Sequence, residues 1–272
     1  MPTPKMNKLL IFITLLLFVL PGCATKRSFD TTNLNDLQTL TKQDTLSTKP
    51  MVGKIRLQAL KETALTLGAQ GGLSSRANQL DDMMAKNAMN LSRIFNFNGL
   101  MLDNNVLPPV LEQSKNSLNL AGPNIIRASD NTFKIIQQAR FVTTAPTWRE
   151  YLWLNYSKPE LPDSTLLPAT SQERESWIKY VNLGWSNGID QANTIYKVNL
   201  AKLQRDYNGM SLYRTLLSQG IVSKPFVAKA NIGITSNADN SEISINDRIL
   251  RITAIPKLNP NSKQWRPILV EK

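Results

Sequence analysis

An α+β fold is predicted, with helices in the N-terminal and central body, short strands, and a small antiparallel sheet at the C-terminus. Three features of the sequence predict it. Apolar residues recur at spacings of three and four between Leu57 and Ile94. The same period returns over a longer stretch after the capping signal Thr170-Ser171-Gln172-Glu173. Beyond Phe226 the apolar residues come in short runs divided by turn residues.

The elements follow in order. Leu57, Leu60, Ala64 and Leu67 define a first helix, which Gly68 and Gly71-Gly72 are expected to end. A second helix is predicted from Ser74 to Phe95, with Ala77, Leu80, Met84, Leu91 and Ile94 on one face. Asn98-Gly99 and Asn104-Asn105 read as turns, and Pro108-Pro109 excludes helix. Ile125 to Arg127 and Phe133 to Val142 are predicted as strands around a turn at Ser129-Asp130-Asn131. A short helix is predicted over Thr147 to Leu154, then a loop spaced by Pro159, Pro162 and Pro168.

The longest helix is expected from about Glu173 to Tyr207, broken by Gly209, continued from Ser211 to Ser218 and capped by Gly220. Its buried face carries Trp177, Val181, Gly184, Gly188, Ala192, Ile195 and Leu203. Gly184 and Gly188 lie four apart and share that face. Each costs up to about 1 kcal/mol of helix propensity, so close packing by another element is expected there. Three strands close the chain, Phe226 to Thr235, Glu242 to Ile245 and Arg248 to Ile255, with a tight turn at Asn246-Asp247. No internal repeat is present.

The first residues carry a different signal. Lys5 and Lys8 precede the apolar run Leu9 to Leu20, interrupted only by Thr14. Its 12 residues would extend about 18 Å as a helix, short of the roughly 30 Å core of a bilayer, which fits a secretory leader. Leu20-Pro21-Gly22-Cys23 then resembles the lipobox of bacterial lipoprotein precursors, with Pro21 where alanine or serine is usual. That resemblance implies cleavage between Gly22 and Cys23, a diacylglycerol on the thiol and an N-acyl chain on the new amino group, with no other cofactor. Met6-Asn7-Lys8 offers a second candidate start. The expected organisation is a signal peptide over 1–22, a lipidated flexible tether over 23–50 and an α+β body over 51–272. Residues 24–50 are polar and lack periodicity, and as a flexible tether of 27 residues would reach roughly 30 Å.

Composition narrows the chemistry. Cys23 is the only cysteine, so a lipidated mature chain holds no disulfide. The formal charge is +12, and loss of Lys5 and Lys8 with the leader leaves +10. The cations are dispersed, with no cluster longer than Lys26-Arg27 after the leader and no nucleic-acid-binding signature, so no direct nucleic-acid contact is expected. There is no histidine, which removes the commonest general base and the triads built on it. With no free thiol either, a zinc site is not expected, and Gly68-Ala69-Gln70-Gly71-Gly72 lacks the lysine and spacing of a phosphate-binding loop. Ser176-Trp177-Ile178-Lys179 and Ser129-Asp130-Asn131 match two motifs of penicillin-binding enzymes, but in reversed order and without the third. No spacing of Asp or Glu selects a glycosidase pair, and the five tryptophans read as core. The chain is not expected to be an enzyme.

Several ordered fragments carry a resemblance over roughly Lys54 to Ala254. They are Ala59-Leu60-Lys61-Glu62 with Leu67 to Gly72, Ile94 to Phe97, Asn105 to Leu111, and Gln138 to Thr144 followed by Thr147-Trp148-Arg149. Gly184-Trp185, Arg205 to Met210 and Ile245 to Arg248 complete them. Together they resemble the DotC lipoprotein family of type IVB (Dot/Icm) secretion systems, which includes the TraI-type lipoproteins of related conjugative plasmids. The resemblance implies an outer-membrane lipoprotein facing the periplasm, a structural subunit in a multimeric ring of the secretion core complex. It implies partnership with a DotD-like lipoprotein and a DotH-like channel protein in moving protein or DNA substrates, and brings no catalytic residues. The alternative is a freestanding lipoprotein that binds or cleaves peptidoglycan.

Overall fold

The computed structural model describes residues 29–41 and 53–266. Its helices are α1 (Leu34–Thr39), α2 (Lys54–Lys86), α3 (Ala88–Ile94), α4 (Trp148–Leu152) and α5 (Ser171–Ser218). Its strands are β1 (Val106–Leu107), β2 (Val110–Gly122), β3 (Ile125–Gln137), β4 (Arg140–Phe141), β5 (Phe226–Ser236) and β6 (Ile243–Ala254). The α+β class holds, with β5–β6 as the small C-terminal antiparallel sheet.

α5 is the spine. Its 48 residues extend about 72 Å. Thr170 caps it, its hydroxyl accepting from the Glu173 N–H at 3.2 Å. The reciprocal half of a capping box is replaced, because the Glu173 carboxylate accepts instead from the Ala169 N–H and from Arg56. At the other end Gly220 takes φ +73°, its N–H bonds the Leu217 carbonyl and the Ile221 N–H bonds that of Leu216. That is a Schellman stop, which glycine adopts without strain.

α2 runs parallel to the first half of α5. Arg56 meets Glu173 near both N-termini, and Arg76 meets Asn193 twenty residues further along each helix. The core is strung along α5 in stations. Leu60, Ala64, Leu67, Trp177 and Val181 fill the first. Met84, Phe97, Leu107, Val110, Trp148, Leu152, Leu203 and Met210 fill the central one. Leu111, Tyr213, Leu216 and Val222 fill the last.

Two hairpins leave this spine, β2–β3 and β5–β6, each a two-stranded sheet without a third strand. The base of β2–β3 packs on α5 through Leu111, with Phe133 and Ile135 beside it. Beyond Leu111 the strands are mostly exposed.

Four sequence expectations need correction. Gly68 and Gly71-Gly72 do not end a helix; α2 continues through them as 33 residues, and the next helix starts only at Ala88. Gly209 does not break α5. Ser129-Asp130-Asn131 is not a turn but the middle of β3, whose turn with β2 lies at Pro123-Asn124. Asn246-Asp247 is likewise inside β6, where Asn246 (φ 59°), with Gly233 (φ 96°) opposite on β5, accompanies register shifts in one continuous hairpin rather than three strands. Gly68, Gly71, Gly72 and Gly209 serve instead for close approach, and Gly233 and Asn246 for bulges.

Candidate functional site: the glycine crossing of α2 and α5

The α2–α5 contact is built from absent side chains. A Cβ on Gly184 would run into the Leu65 carbonyl oxygen and come within 2.9 Å of the Ala69 nitrogen. One on Gly188 would run into the Ala69 carbonyl and come within 2.7 Å of the Leu73 nitrogen. The relation is mutual: a Cβ on Gly68 would strike the Val181 carbonyl, and one on Gly72 the Trp185 carbonyl. Each helix thus offers a pair of glycines four residues apart, and each pair receives the backbone of the other helix. The obstructing atoms are backbone, which cannot rotate aside as a side chain can. Gly209 has the same use further along α5, where a Cβ would lie 2.6 Å from the Leu111 carbonyl oxygen of β2.

A third segment lies over this crossing. A Cβ on Gly71 would come within 2.6 Å of the Thr31 carbonyl oxygen and 2.9 Å of the Leu37 side chain. Leu37 and Leu40 are buried with Leu60, Ala64, Trp177 and Val181. The Trp177 indole N–H donates to the Leu37 carbonyl at 2.8 Å. Residues 29–41 fall within the segment expected to be a flexible tether, yet they form α1 and pack on the body. Four apolar residues at 29, 34, 37 and 40 are enough to seat a short helix that the surrounding polar composition conceals.

Two buried carboxylates brace the ends. Glu173 is 2% exposed and meets Arg56 at 2.7 Å. Burial opposes its ionisation, but the guanidinium and the Ala169 N–H outweigh it and hold the carboxyl below the ordinary glutamate range. Arg56 also donates to the carbonyls of Thr165 and Leu167, so one side chain ties α2, the loop and the start of α5. Asp206 accepts from the Tyr151 hydroxyl at 3.2 Å and from Arg205 at 2.7 Å. Burial and the neighbouring Asp206 push the Tyr151 phenol up to about 12.

The motifs of penicillin-binding enzymes are not brought together. Ser176 and Lys179 sit near the start of α5, whereas Ser129-Asp130-Asn131 lies on the hairpin that meets α5 at Gly209, roughly 50 Å further along the helix. Trp148 and Trp177 are buried core, Trp185 packs against it, and Trp153 and Trp265 are part exposed. Among the described residues no group of acidic side chains could hold a metal ion, and no helix is long and apolar enough to cross a membrane. Gly22 and Cys23, the expected cleavage and lipidation residues, lie outside the described residues, as does the leader.

Comparison with protein families gives a match to the model of the type IV secretory system family for conjugal DNA-protein transfer, over residues 54–267. The chain belongs to that family. The matched range coincides with the folded body, from the first residue of α2 to just past the last described residue. A comparison with curated proteins gives no match. Membership of this conjugal transfer family makes the chain a component of a type IV secretion apparatus, whose partners are other components of that apparatus.

Proposed function

We propose that this conjugal transfer family member is a structural lipoprotein of the outer-membrane core complex of a type IVB secretion system. In this reading Cys23 carries the diacylglycerol and N-acyl anchor, and the body faces the periplasm. It supports assembly of a ring with a DotD-like lipoprotein and a DotH-like channel protein, and has no catalytic centre of its own. The observation that carries the reading is the family match across the whole folded body. The lipobox-like Leu20-Pro21-Gly22-Cys23 supports the anchor. The two hairpins, with Leu118, Leu120, Ile234 and Ile245 each more than two-thirds exposed, suit a subunit that buries them in an assembly.

The test is affinity purification of tagged protein from detergent-solubilised membranes, together with deletion of its gene. The expected result is recovery of the DotD-like and DotH-like proteins, and a loss of DNA or protein transfer restored by the wild-type chain. Purification with no other secretion component, or transfer unaffected by deletion, overturns the reading.

A further inference from the structure

Residues 29–41 are tied to the body along their whole length. The Asp30 carboxylate meets Lys158 at 3.2 Å and also accepts from the Thr32 hydroxyl at 2.8 Å. The Thr31 hydroxyl donates to the Pro159 carbonyl at 2.8 Å. Leu37 and Leu40 are buried, and the Gln38 amide donates to Asn182 on α5 at 2.6 Å. Glycine at 71 leaves room for the Thr31 backbone. These contacts hold both ends of the segment to different parts of the body, the proline-spaced loop and α5.

We propose that this segment is a mounting strap that holds the α2–α5 crossing close against the headgroup surface of the anchoring bilayer. The proposal rests on the reading of Cys23 as the lipidated residue. Its reason is length. Only five residues separate Cys23 from Phe29, the first described residue, which packs against the first core station. A trans chain spans at most about 3.6 Å per residue, so Phe29 is within roughly 20 Å of the acylated sulfur. With the strap undocked, the next described element is α2 at Lys54, and the contour from Cys23 to it is on the order of 100 Å. Docking the strap therefore shortens the leash about fivefold and determines which face of the body looks at the lipid. The five residues that follow Cys23 carry Lys26 and Arg27 and no acid, and cations near an anionic headgroup layer are attracted to it.

The test uses the full-length, acylated protein in vesicles of phosphatidylethanolamine and phosphatidylglycerol with a headgroup-labelled acceptor lipid. A donor is placed through Glu160→Cys, an exposed position beside Pro159, since Cys23 is blocked by its lipid. Strong energy transfer is expected in this parent. Two releases follow: insertion of twenty Gly/Ser residues between Arg27 and Ser28, adding about 25 Å of mean reach, and Leu37→Asp, which undocks the strap. Transfer is expected to fall severalfold in both. The insertion leaves every packed residue in place, so it remains decisive even if Leu37→Asp also perturbs folding. Weak transfer in an acylated, vesicle-bound parent overturns the strap while leaving the lipid anchor intact, as does transfer unchanged by the insertion. Protein that carries no acyl group and fails to float with the vesicles overturns the Cys23 reading and the strap with it.

Discussion

Gly188 has no room for any larger residue, because the atom in its way is the Ala69 backbone carbonyl. Gly188→Leu must push α2 and α5 apart along their length. Overpacking costs about 1–3 kcal/mol when side chains can yield; here backbone must move, so a loss of about 3 kcal/mol is expected despite the better helix propensity of leucine. Thermal unfolding of the purified body would measure it, and a Gly188→Leu variant as stable as the parent would contradict the close crossing. Spacing alone marks Gly184 and Gly188 as sharing a face. It does not say that the face meets Gly68 and Gly72, because the same glycines at 68, 71 and 72 also satisfy the rules for a helix end, and the choice between stop and crossing is made by tertiary packing. Glu173 illustrates a second kind of concealment. Its place in a capping signal is legible, but its partner Arg56 is 117 residues away. Arg56→Ala strands a buried carboxylate and should cost about 2 kcal/mol, less than the roughly 3–5 kcal/mol of a fully buried pair because the arginine partly faces water. The pH dependence has a definite sign. The folded carboxyl titrates below its ordinary value of 4.5, so its contribution is present above that pH and fades as pH falls through the lowered value. Glu173→Gln should therefore be less stable than the parent at neutral pH and show a shallower loss of stability below about pH 4.5 in an acid titration followed by circular dichroism.

At the scale of elements, apolar periodicity marks the helices more clearly than the hairpins. The apolar period of α5 follows from its burial on one side, and Trp177, Val181, Ala192 and Leu203 are all buried. β2 has no comparable signature between its first two residues and Leu118, because Glu112 to Asn116 face solvent and give no alternating apolar pattern. The same exposure accounts for Ser129-Asp130-Asn131 inside β3: a strand with two wet faces admits turn-forming residues that a buried strand would exclude. An isolated two-stranded hairpin is at best marginally stable in water. The distal halves of β2–β3 and β5–β6 are anchored only at their bases, so they belong to the low-stability end of the structure. Amide hydrogen exchange should find Ser117–Ser129 and Ile234–Ile245 exchanging at least tenfold faster than the buried turns of α2 and α5 in the isolated protein. The same amides should become protected in the purified secretion complex. Equal protection in both states would mean that the hairpins stay free after assembly.

On the scale of the whole molecule, the spine separates the strap from the C-terminal hairpin by tens of ångströms. The strap lies over Gly71 and Trp185, whereas β5–β6 begins just after α5 ends at Ser218, some 33 residues or about 50 Å beyond Trp185. A lipid anchor at one end and apolar hairpins toward the other would let one rigid helix pair carry force between a membrane and a neighbouring subunit. Rigidity follows from the crossing, since two helices in backbone contact cannot slide without lifting glycine off carbonyl. The two ends should then fail separately. Cys23→Ser should abolish palmitate labelling and leave the precursor uncleaved, while the purified body keeps its thermal stability, because the core stations are built from residues after Cys23. A double substitution, Ile234→Lys with Ile245→Lys, should do the reverse. These two residues face each other across the hairpin and are 72% exposed, so the lysines are solvated; their mutual repulsion is confined to the hairpin arm, and the stability of the helical body should change by less than about 1 kcal/mol. Lipidation and membrane fractionation should be normal, but recovery of other secretion components should fall at least tenfold, since burying two ammonium groups in an apolar contact is strongly unfavourable. Undiminished recovery in the lysine variant would show that this hairpin face is not a contact of the assembly and would shift the search to the Leu118, Leu120 and Ile126 face of β2–β3.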